Sequence, residues 1–276
     1  MQSQSGDYLL HFLHQPLEIT NTSLNMLPEL GCVMLGSFTF PFLFTQFDKR
    51  LDLMCDSRRY EISLRLVSAI QSILCVVVGY ISMKNTESDI VYDRYPLINW
   101  YTWFWLPYFY YDAWAMYKVY TAKPEKVKGQ TNFIATLKGF ILDDPLMMLH
   151  HLVLPLIYGP AILYFRKGKG DYFIGCAFLM ELTIPFISAR QILLELGLKK
   201  TKAYMVNGIL LMVSFGLVRL GIWFYLVNCY AIYRQVSFGE GFLLLPTVCK
   251  CGLIFFALMN LYWFIKISNK VVKYFR

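Results

Sequence analysis

Seven stretches of about 20 apolar residues follow one another along the chain, and no other feature limits its fold as strongly. A bilayer core of roughly 30 Å takes about 20 residues of helix to cross, so each stretch is long enough to span one. They cover residues 28–47, 60–82, 100–120, 145–164, 172–189, 204–227 and 242–265. The third, WYTWFWLPYFYYDAWAMY, is mostly aromatic and reads either as a span or as a segment lying in the membrane interface. The resulting expectation is an all-α polytopic membrane protein with seven transmembrane helices. Composition agrees: only 16% of residues are charged and 57% are hydrophobic, whereas an ordinary soluble domain carries about 25% charge. That excludes a water-soluble enzyme and a disordered chain. The seven cysteines, an odd number scattered through apolar stretches, read as buried thiols and not as a disulfide framework. No internal repeat is visible, which argues against a transporter built from inverted halves.

Basic residues between the stretches set an orientation, because cytoplasmic links retain Lys and Arg. One side carries Lys84, Arg94, Arg166, Lys167, Lys169 and Arg234. The other carries seventeen, among them Lys49, Arg50, Arg58 and Arg59, the run Lys118, Lys123, Lys126, Lys128 and Lys138, the group Arg190, Lys199, Lys200 and Lys202, and the C-terminal basic residues. Seventeen against six predicts an N-terminus that is luminal or extracellular and a cytosolic C-terminus. The first 26 residues have no basic n-region, so the first span is expected to direct insertion. Asn21-Thr22-Ser23 is a glycosylation sequon on the predicted luminal side, close to that span.

Ionisable groups inside a bilayer are expensive and mark a site or a pathway. Arg65, Asp112, His150, His151, Glu181 and Asn207 come from five different spans. Counted from the predicted cytosolic helix ends at 1.5 Å per residue, they fall within roughly 5 to 14 Å of that face. This predicts a polar belt at one depth. Arg219 and Lys250 fall elsewhere and read as snorkelling or as paired with a helix carbonyl. The neighbours His150 and His151 point about 100° apart on a helix, so one ring can face a cavity while the other is held by a second helix. An imidazole is a general base, a nucleophile or a metal ligand, and a carboxylate such as Asp112 or Glu181 tunes it. With only His11 and His14 besides, a many-histidine di-iron cage is excluded, and no metal is expected. Asp143-Asp144 before Pro145 reads as a helix cap. The run Lys123, Lys126, Lys128 reads as a contact for anionic lipid or for the phosphates of a coenzyme A ester.

Several short motifs, in order, resemble the TLC-domain (TRAM/Lag1/CLN8) family. They are Arg65-Leu66-Val67-Ser68, Pro107 to Asp112, Met147 to His151, Gly170 to Cys176, Glu181 to Phe186, and Val206-Asn207-Gly208 with Arg219. The resemblance is strongest to the ceramide-synthase-like TLC domain-containing proteins and covers about three-quarters of the chain. It implies a TLC domain over residues 59–266, preceded by a luminal tail (1–27) and a first helix with its cytosolic link (28–58), and followed by a basic cytosolic tail (267–276). It further implies a helical barrel of helices two to seven in the endoplasmic reticulum, with Golgi and plasma membrane as alternatives. Ceramide synthases of this family transfer a fatty acyl group from acyl-CoA to a sphingoid amine, and their paired histidines correspond to His150 and His151. They carry a further His-Asp and a second Asp on the next helix. Here that stretch reads Met180-Glu181-Leu182-Thr183-Ile184-Pro185, which leaves one carboxylate.

Three functions follow from these readings. In the catalytic one, acyl-CoA is co-substrate, His150 or His151 acts as base or nucleophile, Glu181 or Asp112 holds the ring, and Arg65 and Asn207 bind a carbonyl or phosphate oxygen. No bound cofactor is expected. Partners would be membrane lipids, acyl-CoA, a sphingoid base and potentially a second copy of the chain, with no nucleic acid. In the second, the same belt serves a non-catalytic regulator of membrane lipid composition. A seven-helix receptor is disfavoured, because the chain lacks an Asp-Arg-Tyr triplet ending helix three and an Asn-Pro-x-x-Tyr in helix seven.

Overall fold

The computed structural model describes residues 27–275, and every regular element among them is helical. His11, His14 and the Asn21 sequon lie outside the described residues. The helices are α1 (Leu27–Arg50), α2 (Asp56–Lys84), α3 (Leu97–Thr121), α4 (Pro124–Val127), α5 (Phe133–Asp143), α6 (Pro145–Val153), α7 (Asp171–Phe178), α8 (Ile184–Glu195), α9 (Lys202–Ser214), α10 (Ile222–Tyr233), α11 (Phe238–Leu244) and α12 (Thr247–Phe275). Six continuous helical runs are long and apolar enough to cross a bilayer: Leu27–Arg50, Asp56–Lys84, Pro145–Phe165, Asp171–Glu195, Lys202–Tyr233 and Thr247–Val272. The protein is therefore an integral multi-pass membrane protein.

Six runs are fewer than the seven expected, and α3 is the difference. Its tyrosines and tryptophans carry polar tips, which lower its apolarity below that of a leucine-rich span. It nevertheless forms 25 unbroken residues of helix with Pro107 inside. Its rings bury against two neighbours: Phe40 of α1 meets Phe104 and Tyr108, and Phe44 meets Trp114. On the α2 side, Gln71 Nε2 donates to Tyr101 Oη at 3.3 Å, and Tyr108 Oη lies 3.0 Å from Ser68 Oγ. Contact order along the three helices makes α3 parallel to α1 and antiparallel to α2.

Proline explains where the observed spans depart from the expected ones. The seventh was expected to begin at residue 242, yet the chain breaks after α11 and resumes at Thr247. Pro246 restricts Leu245 to extended backbone (ψ 144), so one helix cannot run through. Pro155 and Pro160 deprive the fourth span of two amide donors, and the backbone responds with π-helical turns at Leu154–Tyr158 and Ala161–Phe165. Pro185 disrupts the fifth in the same way. Its i−4 carbonyl is that of Glu181, and the preceding turn tightens to 3₁₀ over Leu179–Thr183. At the start of α6 the expected cap is present, with Asp144 Oδ1 accepting from Met147 N at 3.2 Å and Pro145 at the first helical position.

Around the interior, α3 packs on α2, α2 on α7 and α8, α8 on α9, and α9 on α12. The His150 ring of α6 lies 5.5 Å from Trp263 of α12, and His151 bonds α3. Between α2 and α7 the backbones touch, since a Cβ on Gly79 would lie 2.6 Å from the Gly175 carbonyl oxygen. At the end opposite the lysine-rich links, Gly170 (φ +75) turns the chain into α7. There the Asp171 carboxylate receives the Arg166 guanidinium and Tyr95 N.

The Gly79→Leu substitution is expected to force α2 and α7 apart and to destabilise the protein by about 1–3 kcal/mol or more. This would be read as a lower melting temperature of the detergent-solubilised chain. Gly31→Ala, at a position with nothing within 4 Å, should cause no loss and can gain up to about 1 kcal/mol of helix propensity.

Candidate functional site

Three helices each contribute a contact spaced i, i+4, two of them to a backbone carbonyl one turn back and one between side chains on the same face. On α2, Ser68 Oγ donates to the Leu64 carbonyl at 2.9 Å. On α3, Tyr108 Oη donates to Asp112 Oδ1 at 3.0 Å. On α6, His151 Nδ1 lies 2.9 Å from the Met147 carbonyl. The three faces converge where His151 Nε2 meets Asp112 Oδ2 at 2.6 Å. Both side chains are about nine-tenths buried.

The bonding pattern assigns the protons. A carbonyl only accepts, so Nδ1 of His151 carries a hydrogen. Nε2 faces the Asp112 carboxylate at 2.6 Å. His151 is thus engaged through both nitrogens and is fixed in place. His150 differs: its Nδ1 is buried with no hydrogen-bond partner among the described residues. Its ring stands edge-on to His151 (5.8 Å), Trp263 (5.5 Å) and Phe256 (6.5 Å). Of the two expected histidines, His151 is bound through both nitrogens, whereas His150 Nδ1 has no partner among the described residues.

Glu181 does not share this network. Arg219 Nη2 donates to Glu181 Oε1 at 3.2 Å, while Arg219 Nε donates to Thr183 Oγ1 at 2.8 Å and to the Met180 carbonyl at 3.2 Å. Both residues sit on distorted backbone, Glu181 in the 3₁₀ turn and Arg219 in the π-helical stretch Phe215–Gly221. Arg219 had been read from sequence as snorkelling or carbonyl-paired. It does bond a carbonyl, and it also pairs with a carboxylate on the neighbouring span.

The remaining two expected residues have other partners. Both Nε and Nη2 of Arg65 reach Glu61 Oε1 at 2.8 Å, and Lys123 Nζ reaches Glu61 Oε2 at 3.2 Å, which ties the α3–α4 link to α2. Beside this cluster is a cavity of about 140 Å³, lined by Arg65, Lys123, Lys126, Asp143, Phe140 and Met148 among others. Asn207 Nδ2 donates to the Phe186 carbonyl at 2.9 Å and joins α9 to α8. The structure therefore brings together Asp112 and His151, with His150 adjoining, and assigns Arg65, Glu181 and Asn207 to separate contacts. Ser68, Tyr108 and Glu61 were not singled out as site residues. The available signal was their spacing, since Tyr108 lies four residues before Asp112 and Glu61 four before Arg65. Among the described residues no three His, Cys, Asp or Glu side chains are grouped closely enough to hold a metal ion.

These features define a polytopic helical membrane protein with an ionisable cluster buried between its spans. A family model for the TLC domain matches residues 61–269, and the chain belongs to that family, whose members are membrane-associated and linked to lipid metabolism. TLC domain-containing protein 4-A of Xenopus laevis is 28% identical over 144 residues, covering 48% of this chain and 52% of the relative. TLC domain-containing protein 4 of Xenopus tropicalis matches with the same identity and coverage. The chain spans about half the length of the curated relatives it matches. The comparison with solved structures finds no match.

Arg219→Met alone leaves the Glu181 carboxylate unpaired, and a loss of about 3 kcal/mol of stability is expected. The double substitution Arg219→Met/Glu181→Leu should recover most of it, because it removes the stranded charge. Thermal melts of the three proteins in one detergent check the ordering.

Proposed function

We propose that the protein is a ceramide-synthase-like N-acyltransferase that moves a fatty acyl group from acyl-CoA to a sphingoid base. The observation that carries this reading is the division of labour between the histidines: Asp112 and the Met147 carbonyl immobilise His151, while His150 Nδ1 is buried and unpaired. In the reaction the amine nitrogen attacks the thioester carbonyl and forms the amide bond. His150 takes the proton that the amine loses, the carbon–sulfur bond breaks, and the proton passes to the departing thiolate. His151, pinned by Asp112, stands edge-on to His150 at 5.8 Å and positions its ring. Family membership favours a lipid substrate.

In this reading α3 is a seventh span. Its 25 residues extend roughly 37 Å at 1.5 Å per residue, which is sufficient to cross the hydrocarbon core. The sequence of neighbours from α3 through α2, α7–α8, α9–α10 and α12 to α6 supports a barrel of six spans with α1 outside it. The excess of basic residues at one end favours a luminal N-terminus and a cytosolic C-terminus, and the family's lipid role favours the endoplasmic reticulum. Acyl-CoA would then arrive at the lysine-rich end, near Arg65 and Lys123.

A second reading, a non-catalytic regulator of membrane lipid composition, is favoured by one observation: the carboxylate left in the expected catalytic stretch, Glu181, is already paired with Arg219. Acyl transfer from labelled acyl-CoA to a sphingoid base by the purified protein separates the two. The expected result is turnover that falls about 10²- to 10⁴-fold in a folded His150→Ala variant, the range for removal of a general base. Turnover no greater than that of His150→Ala across several chain lengths, with lipid still bound, would establish the regulator instead.

A further inference from the structure

His150 Nδ1, Trp223 Nε1 and Asn260 Oδ1 are buried and have no hydrogen-bond partner among the described residues. They are connected through one aromatic ring. Phe256, Asn260 and Trp263 are spaced i, i+4, i+7 and so share a face of α12. Phe256 and Trp263 flank His150, and the Trp223 indole stacks on Phe256 at 6.1 Å with an 8° interplanar angle. Asn260, at 3% exposure, belongs to the same α12 face as the two rings that flank the imidazole. Buried polar groups are almost always paired, and a cluster of unpaired ones inside aromatic walls marks a place where a ligand supplies the partners.

The atoms specify that ligand's chemistry. An amide oxygen only accepts and an indole nitrogen only donates, while the imidazole nitrogen does either according to tautomer. The complementary group offers a donor and an acceptor within a small space on an otherwise apolar body. We propose that Asn260 and Trp223 select the headgroup of a single-chain lipid bearing adjacent amine and hydroxyl groups. Asn260 Oδ1 accepts a hydrogen bond from the head, and Trp223 Nε1 donates to its hydroxyl oxygen beside His150. A fatty ester of equal length offers only acceptors and leaves Asn260 unpaired. The inference rests on the acyltransferase reading for the class of lipid and extends it to the residues that read the head. Binding tests it separately from turnover.

The test is the melting temperature of the full chain in detergent, with sphingosine and with methyl stearate as probes. Wild type is expected to be stabilised by sphingosine and not by methyl stearate. Asn260→Leu, which replaces an unpaired amide by an apolar group of similar size, should melt no lower than wild type without lipid and should lose the sphingosine shift. Trp223→Phe retains the stacked ring and should weaken the apparent sphingosine affinity about tenfold. An undiminished sphingosine shift in either variant, or no sphingosine shift in wild type, overturns the proposal. If Asn260→Leu does not yield folded protein, the Trp223→Phe titration decides. A selective shift in wild type that both variants impair, without acyl transfer, would refute the catalytic reading and leave this inference standing.

Discussion

Asp112 occupies an interior where an isolated carboxylate would cost several kcal/mol, and hydrocarbon offers no water to offset that cost. His151 meets it at 2.6 Å, and Tyr108 and Ser68 attend its other oxygen. Because these partners come from α2, α3 and α6, satisfying one carboxylate fixes three helices against one another. The register of α3 is set twice, by Tyr108 and Asp112 facing inward and by Phe104, Tyr108 and Trp114 meeting α1. Aromatic residues suit that position. Their rings fill the space between helices, and their hydroxyls reach the few polar atoms inside.

The interior is also shaped by departures from ideal helix. Proline removes a donor and crowds a carbonyl one turn back, and in the fourth and fifth spans the turns beside it widen or tighten. Of the Glu181–Arg219 pair, Glu181 lies in the 3₁₀ turn before Pro185, while Arg219 lies in a π-helical stretch that contains no proline. A wider turn displaces side chains from the regular helical phase, and this lets a residue that periodicity places elsewhere reach across to the neighbouring span. Distortion, pairing and burial are thus coupled in the same stretch of chain.

The two histidines show how neighbours on a helix acquire different chemistry. The 100° between them directs His151 to Asp112 of α3, with its other nitrogen on the Met147 carbonyl of its own helix, and His150 to α12, where the Phe256 and Trp263 rings meet it edge-on. A ring with both nitrogens engaged is a fixed support. A ring with a free nitrogen can exchange a proton or bind a ligand.

Much of this was legible beforehand. Apolar run length predicted the membrane helices, since a bilayer imposes a length and a polarity that a sequence displays directly. Asp144 before Pro145 announced a helix start, and the His150-His151 pair announced ionisable side chains in the interior. Depth counting grouped the ionisable residues by level, but depth alone does not give partners. The structure joined Glu181 to Arg219, Arg65 to Glu61 and Lys123, and Asn207 to a backbone carbonyl. It also revealed Asn260, which no motif marks. Length, polarity and caps are local properties that each segment carries by itself, so the sequence determined the class of protein and most of its helices. Which ionisable group faces which depends on helix rotation, proline-induced turns and neighbour order. Those are properties of several segments packed together, and only the tertiary structure decided them.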